Sequence, residues 1–177
     1  MKPLLVVLIC VLLSFFVLLT DSNFTNNLLK NNEAKEPTKQ LVRNFFFMAP
    51  MPQVFNEQES AHMTDVAWLI RLGLVILIFA TILLLALKPT ARTIYYGAGI
   101  LTALLLILAI IPFETVFTKF HQVFFPQGNW QFSSDSTIIQ YYSYDFFYKY
   151  AVFIGVYSLL AAFALCVFAF FSTRNKQ

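Results

Sequence analysis

Four long apolar stretches organise this chain, at residues 4–20, 66–87, 93–111 and 150–171. Each is close to the ~17–25 residues that a helix needs to cross a hydrocarbon layer of about 30 Å. The second is interrupted only by Arg71. The second and third are separated by residues 88–92 alone, and Pro89 among them cannot continue a helix. The pattern therefore predicts a tight helical hairpin there. The first stretch follows a single Lys2 and ends in Leu-Leu-Thr-Asp-Ser, with no small-x-small cleavage site. It reads as a retained helix rather than a removed signal. The predicted fold is an all-α integral membrane protein, a four-transmembrane-helix bundle forming one membrane domain over 1–177.

Two long connections, 21–65 and 112–149, hold the remaining pattern. Residues 21–38 are polar and read as a solvated linker. From Lys39 to Phe47 the apolar spacing predicts a short helix on the membrane surface, stopped by Ala49-Pro50-Met51-Pro52. A further helix beginning near Glu57 runs into the second span without a breaker. The 112–149 connection has 13 aromatic residues in 38 positions, and such rings favour headgroup depth. Phe125-Pro126-Gln127-Gly128 suits a turn. Asp135 is placed to cap a short helix.

Composition agrees with a membrane body: 59% of residues are hydrophobic and 12% charged, against about 25% charged in a soluble domain. A net charge of +3 carries no nucleic-acid signature. The few charges are unevenly placed. Lys2, Lys88, Arg92, Arg174 and Lys176 lie in short segments without acids, while all nine acids fall within 21–65 and 114–145. The positive-inside rule then predicts cytoplasmic termini, a cytoplasmic hairpin at 88–92, and two long connections facing outward. Cys10 and Cys166 sit within apolar stretches and match neither a disulfide framework nor a zinc pattern.

Candidate chemistry gathers on the outward side. On a helix starting near Glu57, Glu59, His62 and Asp65 fall at i, i+3 and i+6, on one side. His121, the other histidine, stands just before the predicted turn. Each histidine taken singly reads most simply as a hydrogen-bonded interfacial residue. Carboxylates flanking His62, and the turn and aromatic residues crowded around His121, make a joint acid–base site at membrane depth an equal reading. A metal set from Glu59, His62, Asp65 and His121 is the weaker alternative, because carboxylate-bridged sites need the Glu-x-x-His pair twice. Arg71 reads as an interfacial anchor, or as a group holding a lipid headgroup or a developing negative charge.

The segments Phe55-Asn-Glu-Gln-Glu-Ser-Ala-His62-Met-Thr-Asp65-Val and Phe120-His121-Gln-Val-Phe-Phe125-Pro-Gln-Gly128-Asn-Trp130-Gln-Phe132 resemble the two signature segments of a family. So do Ile138-Ile139 and Asp145-Phe146-Phe147. The family comprises small four-helix bacterial membrane proteins that include the lipoprotein intramolecular transacylase, Lit. The resemblance extends over about residues 40–170, with a departure at Tyr142-Ser143-Tyr144, where a proline is expected. It implies an enzyme of the bacterial cell membrane that needs no cofactor and no metal. The substrate would be a diacylglyceryl lipoprotein, whose cysteine α-amine takes the sn-2 acyl chain to give the lyso form. In that reading His62 is the base, oriented by Asp65 or Glu59, and His121 completes the proton relay or stabilises the oxyanion. Those two roles are exchangeable. Gly128 and Asn129 are candidate oxyanion donors, and Arg71 and Trp130 supporting or substrate-binding groups. The rival is a non-enzymatic four-helix scaffold or lipid-binding partner of another membrane protein.

Overall fold

A computed structural model describes residues 1–174; Lys176, one of the charges used above for orientation, lies outside the described residues. In chain order the helices are α1 (Lys2–Thr20), α2 (Ser22–Leu28), α3 (Lys35–Phe47), α4 (Glu57–Ala86), α5 (Ala91–Ile110), α6 (Phe113–Phe124), α7 (Thr137–Tyr141) and α8 (Tyr144–Arg174). Helices α1, α4, α5 and α8 are long and apolar enough to cross a membrane. Large apolar side chains on them, including Phe79, Ile110 and Phe163, stand exposed, as expected of surfaces that meet lipid. The chain is a multi-pass membrane protein.

The chain divides into two compact units. The first takes Met1–Val17, Gly73–Ile111 and the chain from Val152 onward. Its core is built on Val6, Cys10, Leu101 and Ala162. Here α1 and α5 approach closely at Gly97, where a Cβ would lie 2.7 Å from the Val6 Cβ and 3.0 Å from the Pro3 carbonyl. The hairpin follows from its caps. Helix α4 ends at Ala86, Lys88 takes a left-handed φ of 49°, and Thr90 and Thr93 form a reciprocal capping box that starts α5. The Lys2 Nζ donates to the Leu87 carbonyl at 2.8 Å, which puts the N-terminus beside this turn.

The second unit comprises Leu18–Leu72 and Pro112–Ala151. It corrects the reading of residues 21–38 as a linker. Asp21 accepts from the Phe24 N–H and starts α2, and Asn31 accepts from the Glu33 N–H and starts a 3₁₀ turn at Asn32–Ala34. Thr25, Ala34 and Thr38 are buried. Short polar side chains there act as helix caps, so a polar stretch encodes ordered structure. Helix α3 begins at Lys35, four residues earlier than its apolar spacing indicates, with Pro37 in its first turn. It ends at Met48, whose φ of 53° is left-handed and whose N–H returns to the Asn44 carbonyl. A second correction concerns α7, whose cap is Ser136, accepting from the Ile139 N–H, and not Asp135.

Candidate active site

Helix α4 carries His62, and α6 carries His121. Both residues lie in the second unit, and their rings come together with centroids 6.0 Å apart and planes within 29°. His62 is only 6% exposed. The Phe125 and Phe132 rings meet it edge-on, with centroids at 4.8 and 5.5 Å. Its Nδ1 is buried and has no hydrogen-bond partner. Leaving such an atom unpaired costs about 1–3 kcal/mol, and Thr25 Oγ1 and the Tyr150 hydroxyl are the other buried side-chain atoms so placed among the described residues.

His121 sits at the last turn of α6, against Trp130 at 4.9 Å and Phe117 at 4.1 Å between centroids. Its Nδ1 lies 2.8 Å from the Phe117 carbonyl, one helical turn back. A carbonyl only accepts, so Nδ1 carries the hydrogen and neutral His121 keeps a lone pair on Nε2. Burial pushes the His121 pKa below its ordinary value, partly offset by the bond to Phe117. The unprotonated ring therefore dominates at neutral pH.

The two acids flanking His62 part company. Asp65 stays at the site: its Oδ2 accepts from Asn129 Nδ2 at 2.7 Å and from Gln127 Nε2 at 2.8 Å. This carboxylate pins the loop after α6. Burial, and after it the neighbouring His121, push the His62 pKa down to about 4, while the Asn129 side chain and then the Asp65 charge pull partly the other way. Glu59 is turned elsewhere. Its Oε2 accepts from the Asn56 N–H at 2.9 Å, while Asn56 Oδ1 accepts from the Glu59 N–H, a capping box at the start of α4. Its Oε1 accepts from the Ile138 N–H at 3.1 Å, at the start of α7. Glu59 thus holds two helix N-termini and is not the group that orients His62. Among the described residues no three His, Cys, Asp or Glu side chains converge as a metal-binding group.

Three other expectations shift. The Phe125–Gly128 turn forms, with the Gly128 N–H donating to the Phe125 carbonyl at 3.1 Å. That bond uses the amide expected to face an oxyanion, and the Gly128 φ of +79° explains the glycine instead. Asn129 directs one amide hydrogen at Asp65. Arg71 donates from Nε to the Phe45 carbonyl at 3.0 Å and from Nη2 to the Asn44 carbonyl at 2.6 Å. It places a cation on the last-turn carbonyls of α3, sharing the Asn44 carbonyl with the Met48 N–H, and so holds the end of that helix. Phe125, Phe132, Phe117 and Gln127 complete the site without having been singled out individually. The i−4 relation of Phe117 to His121 on one helix was the available signal for the first bond.

The arrangement offers two imidazoles of separate origin stacked face toward face, with aromatic walls and one carboxylate behind an amide. It can take a proton from one group of a bound molecule and return it to another.

Solved structures share this architecture. The in meso structure of the membrane integral lipoprotein intramolecular transacylase Lit from Bacillus cereus matches with a TM-score of 0.70 at 17% identity, covering 99% of this chain and 94% of that one. Two further structures of that protein, each with one histidine replaced, match at 18% identity over 99% of this chain. The arginine form has a TM-score of 0.65 and 92% of its chain covered, the alanine form 0.67 and 91%. No curated protein matches the chain. The family model described as lipoprotein intramolecular transacylase Lit matches residues 2–147, most of the sequence, and the chain belongs to that family.

Proposed function

We propose that the protein moves the sn-2 acyl chain of a diacylglyceryl lipoprotein onto the α-amine of the same cysteine, using His62 and His121 as acid–base groups. The neutral amine attacks the ester carbonyl, a C–N bond forms, and the C–O bond to glycerol breaks. The proton lost by nitrogen passes through the histidines to the glycerol oxygen. The product is an amide and a free hydroxyl, with no other reactant consumed. Both reacting groups belong to one molecule, so holding them together supplies a large effective molarity.

The observation that carries this reading is the facing pair of imidazoles, His62 buried and His121 half-buried. His121 has its Nδ1 hydrogen engaged by Phe117, so as a neutral ring it has no N–H left for an oxyanion. Proton relay suits it better. His62 Nδ1, buried and unpartnered, suits the amine proton. Asp65 supports His62 through Asn129, and Trp130 packs on His121. Glu59, Gly128 and Arg71 hold the surrounding backbone. The protein works in the bacterial cytoplasmic membrane with this site outward, where the substrate amine lies. The Lys2 contact beside the basic hairpin agrees with both standing on the cytoplasmic side.

The test is expression in a host making only diacylglyceryl lipoproteins, with mass spectrometry of a lipoprotein N-terminal peptide. His62→Ala and His121→Ala should each lower lyso-form product by about 10²–10⁴, the usual worth of acid–base catalysis. Product at wild-type level in both variants would sink the histidine mechanism. No product from folded wild-type protein would favour the scaffold or lipid-binding alternative.

A further inference from the structure

A second feature begins where the histidine pair ends. A cleft of about 320 Å³ runs beside the first turns of α4 that follow His62. Asp65, Trp68, Leu69 and Leu72 line it from α4, Phe124 and Phe125 from the end of α6, and Gln127 closes its mouth. The cleft is polar at one end only, where Asp65 and Gln127 are bonded to each other. Along α4, residues 62, 65, 69 and 72 share one face at a 3.6-residue period. The stripe that presents His62 therefore continues downward as the cleft wall. From Asp65 to Leu72 it descends about 10 Å along a helix that becomes a membrane span.

The wall common to both features is Phe125. Its buried ring meets His62 at 4.8 Å and His121 at 5.5 Å, and it also lines the cleft. The outer rim is open: Trp68 is 64% exposed and Leu72 37% exposed. Both lie on a helix apolar enough to span a membrane, so an occupant can leave sideways into lipid. A groove that starts beside the histidine pair, turns apolar and opens to the bilayer fits one straight hydrocarbon chain. It is too small for two.

We propose that this α4–α6 cleft receives the migrating sn-2 acyl chain, with Leu69 and Leu72 setting how much chain is accepted, while the sn-1 chain stays in the bilayer. The proposal rests on the transacylase reading above. The chain that enters is the one whose carbonyl lies beside Phe125, because only that carbonyl is within reach of both histidines.

The experiment uses a diacylglyceryl-cysteine peptide with an acetylated α-amine, which binds without turning over. A photoreactive diazirine sits in the carbonyl-proximal part of the sn-2 chain in one arm and of the sn-1 chain in the other. Full-length wild-type protein in vesicles is irradiated and mapped by mass spectrometry. The sn-2 arm should label residues 68–72 and 124–125, and the sn-1 arm neither. Labelling elsewhere by the sn-2 arm, or equal labelling by both arms, overturns the assignment. With reactive peptides, Leu69→Trp should shift the preference for an sn-2 octanoyl over a palmitoyl chain by about tenfold or more, and leave sn-1 length without effect. Leu72→Phe should shift it in the same direction, and an unchanged preference in either folded variant refutes the proposal. The two readings fail separately. Labelling in the cleft without N-acyl product from an unblocked peptide keeps the cleft assignment and removes the transacylase. Product formation with sn-2 labelling elsewhere does the reverse.

Discussion

Replacing Glu59 separates a carboxylate that builds the site from one that acts in it. Its side chain is 1% exposed and accepts from two backbone amides, Asn56 at the start of α4 and Ile138 at the start of α7. Hydrogen bonds to a charged acceptor contribute about 1.5–3 kcal/mol each. Glu59→Ala removes both and leaves the buried Ile138 amide unpaired. The expected loss is about 3–5 kcal/mol after allowing for partial relaxation. Glu59→Gln keeps one acceptor oxygen but turns an NH₂ toward an amide donor, with an expected loss of about 2–3 kcal/mol. Glu57, on the exposed first turn of the same helix, is the control, and Glu57→Ala should fall within about 0.5 kcal/mol of wild type. The assay is thermal unfolding of purified protein in detergent, followed by circular dichroism. The order should be Glu59→Ala below Glu59→Gln below Glu57→Ala. A functional measurement completes it. Glu59 does not bond His62, so the pH dependence of residual kcat/KM in Glu59→Gln should match wild type. Equal stability of Glu59→Ala and Glu57→Ala would refute the double-cap assignment. A displaced acid limb in Glu59→Gln would restore Glu59 as the residue that orients His62.

Two other outcomes follow from the structure. The ring ¹⁵N shifts of histidine-labelled protein in micelles should report His121 as the Nδ1–H tautomer, titrating below about 6.5, since burial lowers its pKa. The basic form is present above that pKa and lost as pH falls through it; with a substrate amine of pKa about 7.7–8.0, kcat/KM should therefore keep rising up to about pH 8. An Nε2–H tautomer, or titration above 6.5, contradicts the relay geometry. Gly97→Ala should destabilise the first unit by about 1–3 kcal/mol because its Cβ meets Val6 and the Pro3 carbonyl. Gly99→Ala, with nothing within 4 Å, should leave thermal stability unchanged or slightly raised; equal effects at both positions would contradict close packing at Gly97.

The sequence alone determined the membrane class, because a span is encoded by local composition: about twenty apolar residues suffice whatever they touch. The Pro89 break and the pairing of His62 with Asp65 on one helix face were legible for the same reason, since both depend on neighbours within a turn or two. Joining His62 to His121 was only a possibility at that level, supported by family resemblance. Their 6.0 Å approach depends on α6 and on the loop that Asp65 binds, 62 to 64 residues after that aspartate. The polar stretch 21–38 misled because caps and solvated linkers use the same short polar residues. The partners of Glu59 and Arg71 were hidden for a related reason. Backbone amides and carbonyls carry no sequence signature, and a charged side chain drawn from water goes to whichever helix end the tertiary structure brings near. Tertiary structure thus decided which carboxylate caps helix ends, Glu59, and which one binds the loop beside the histidines, Asp65.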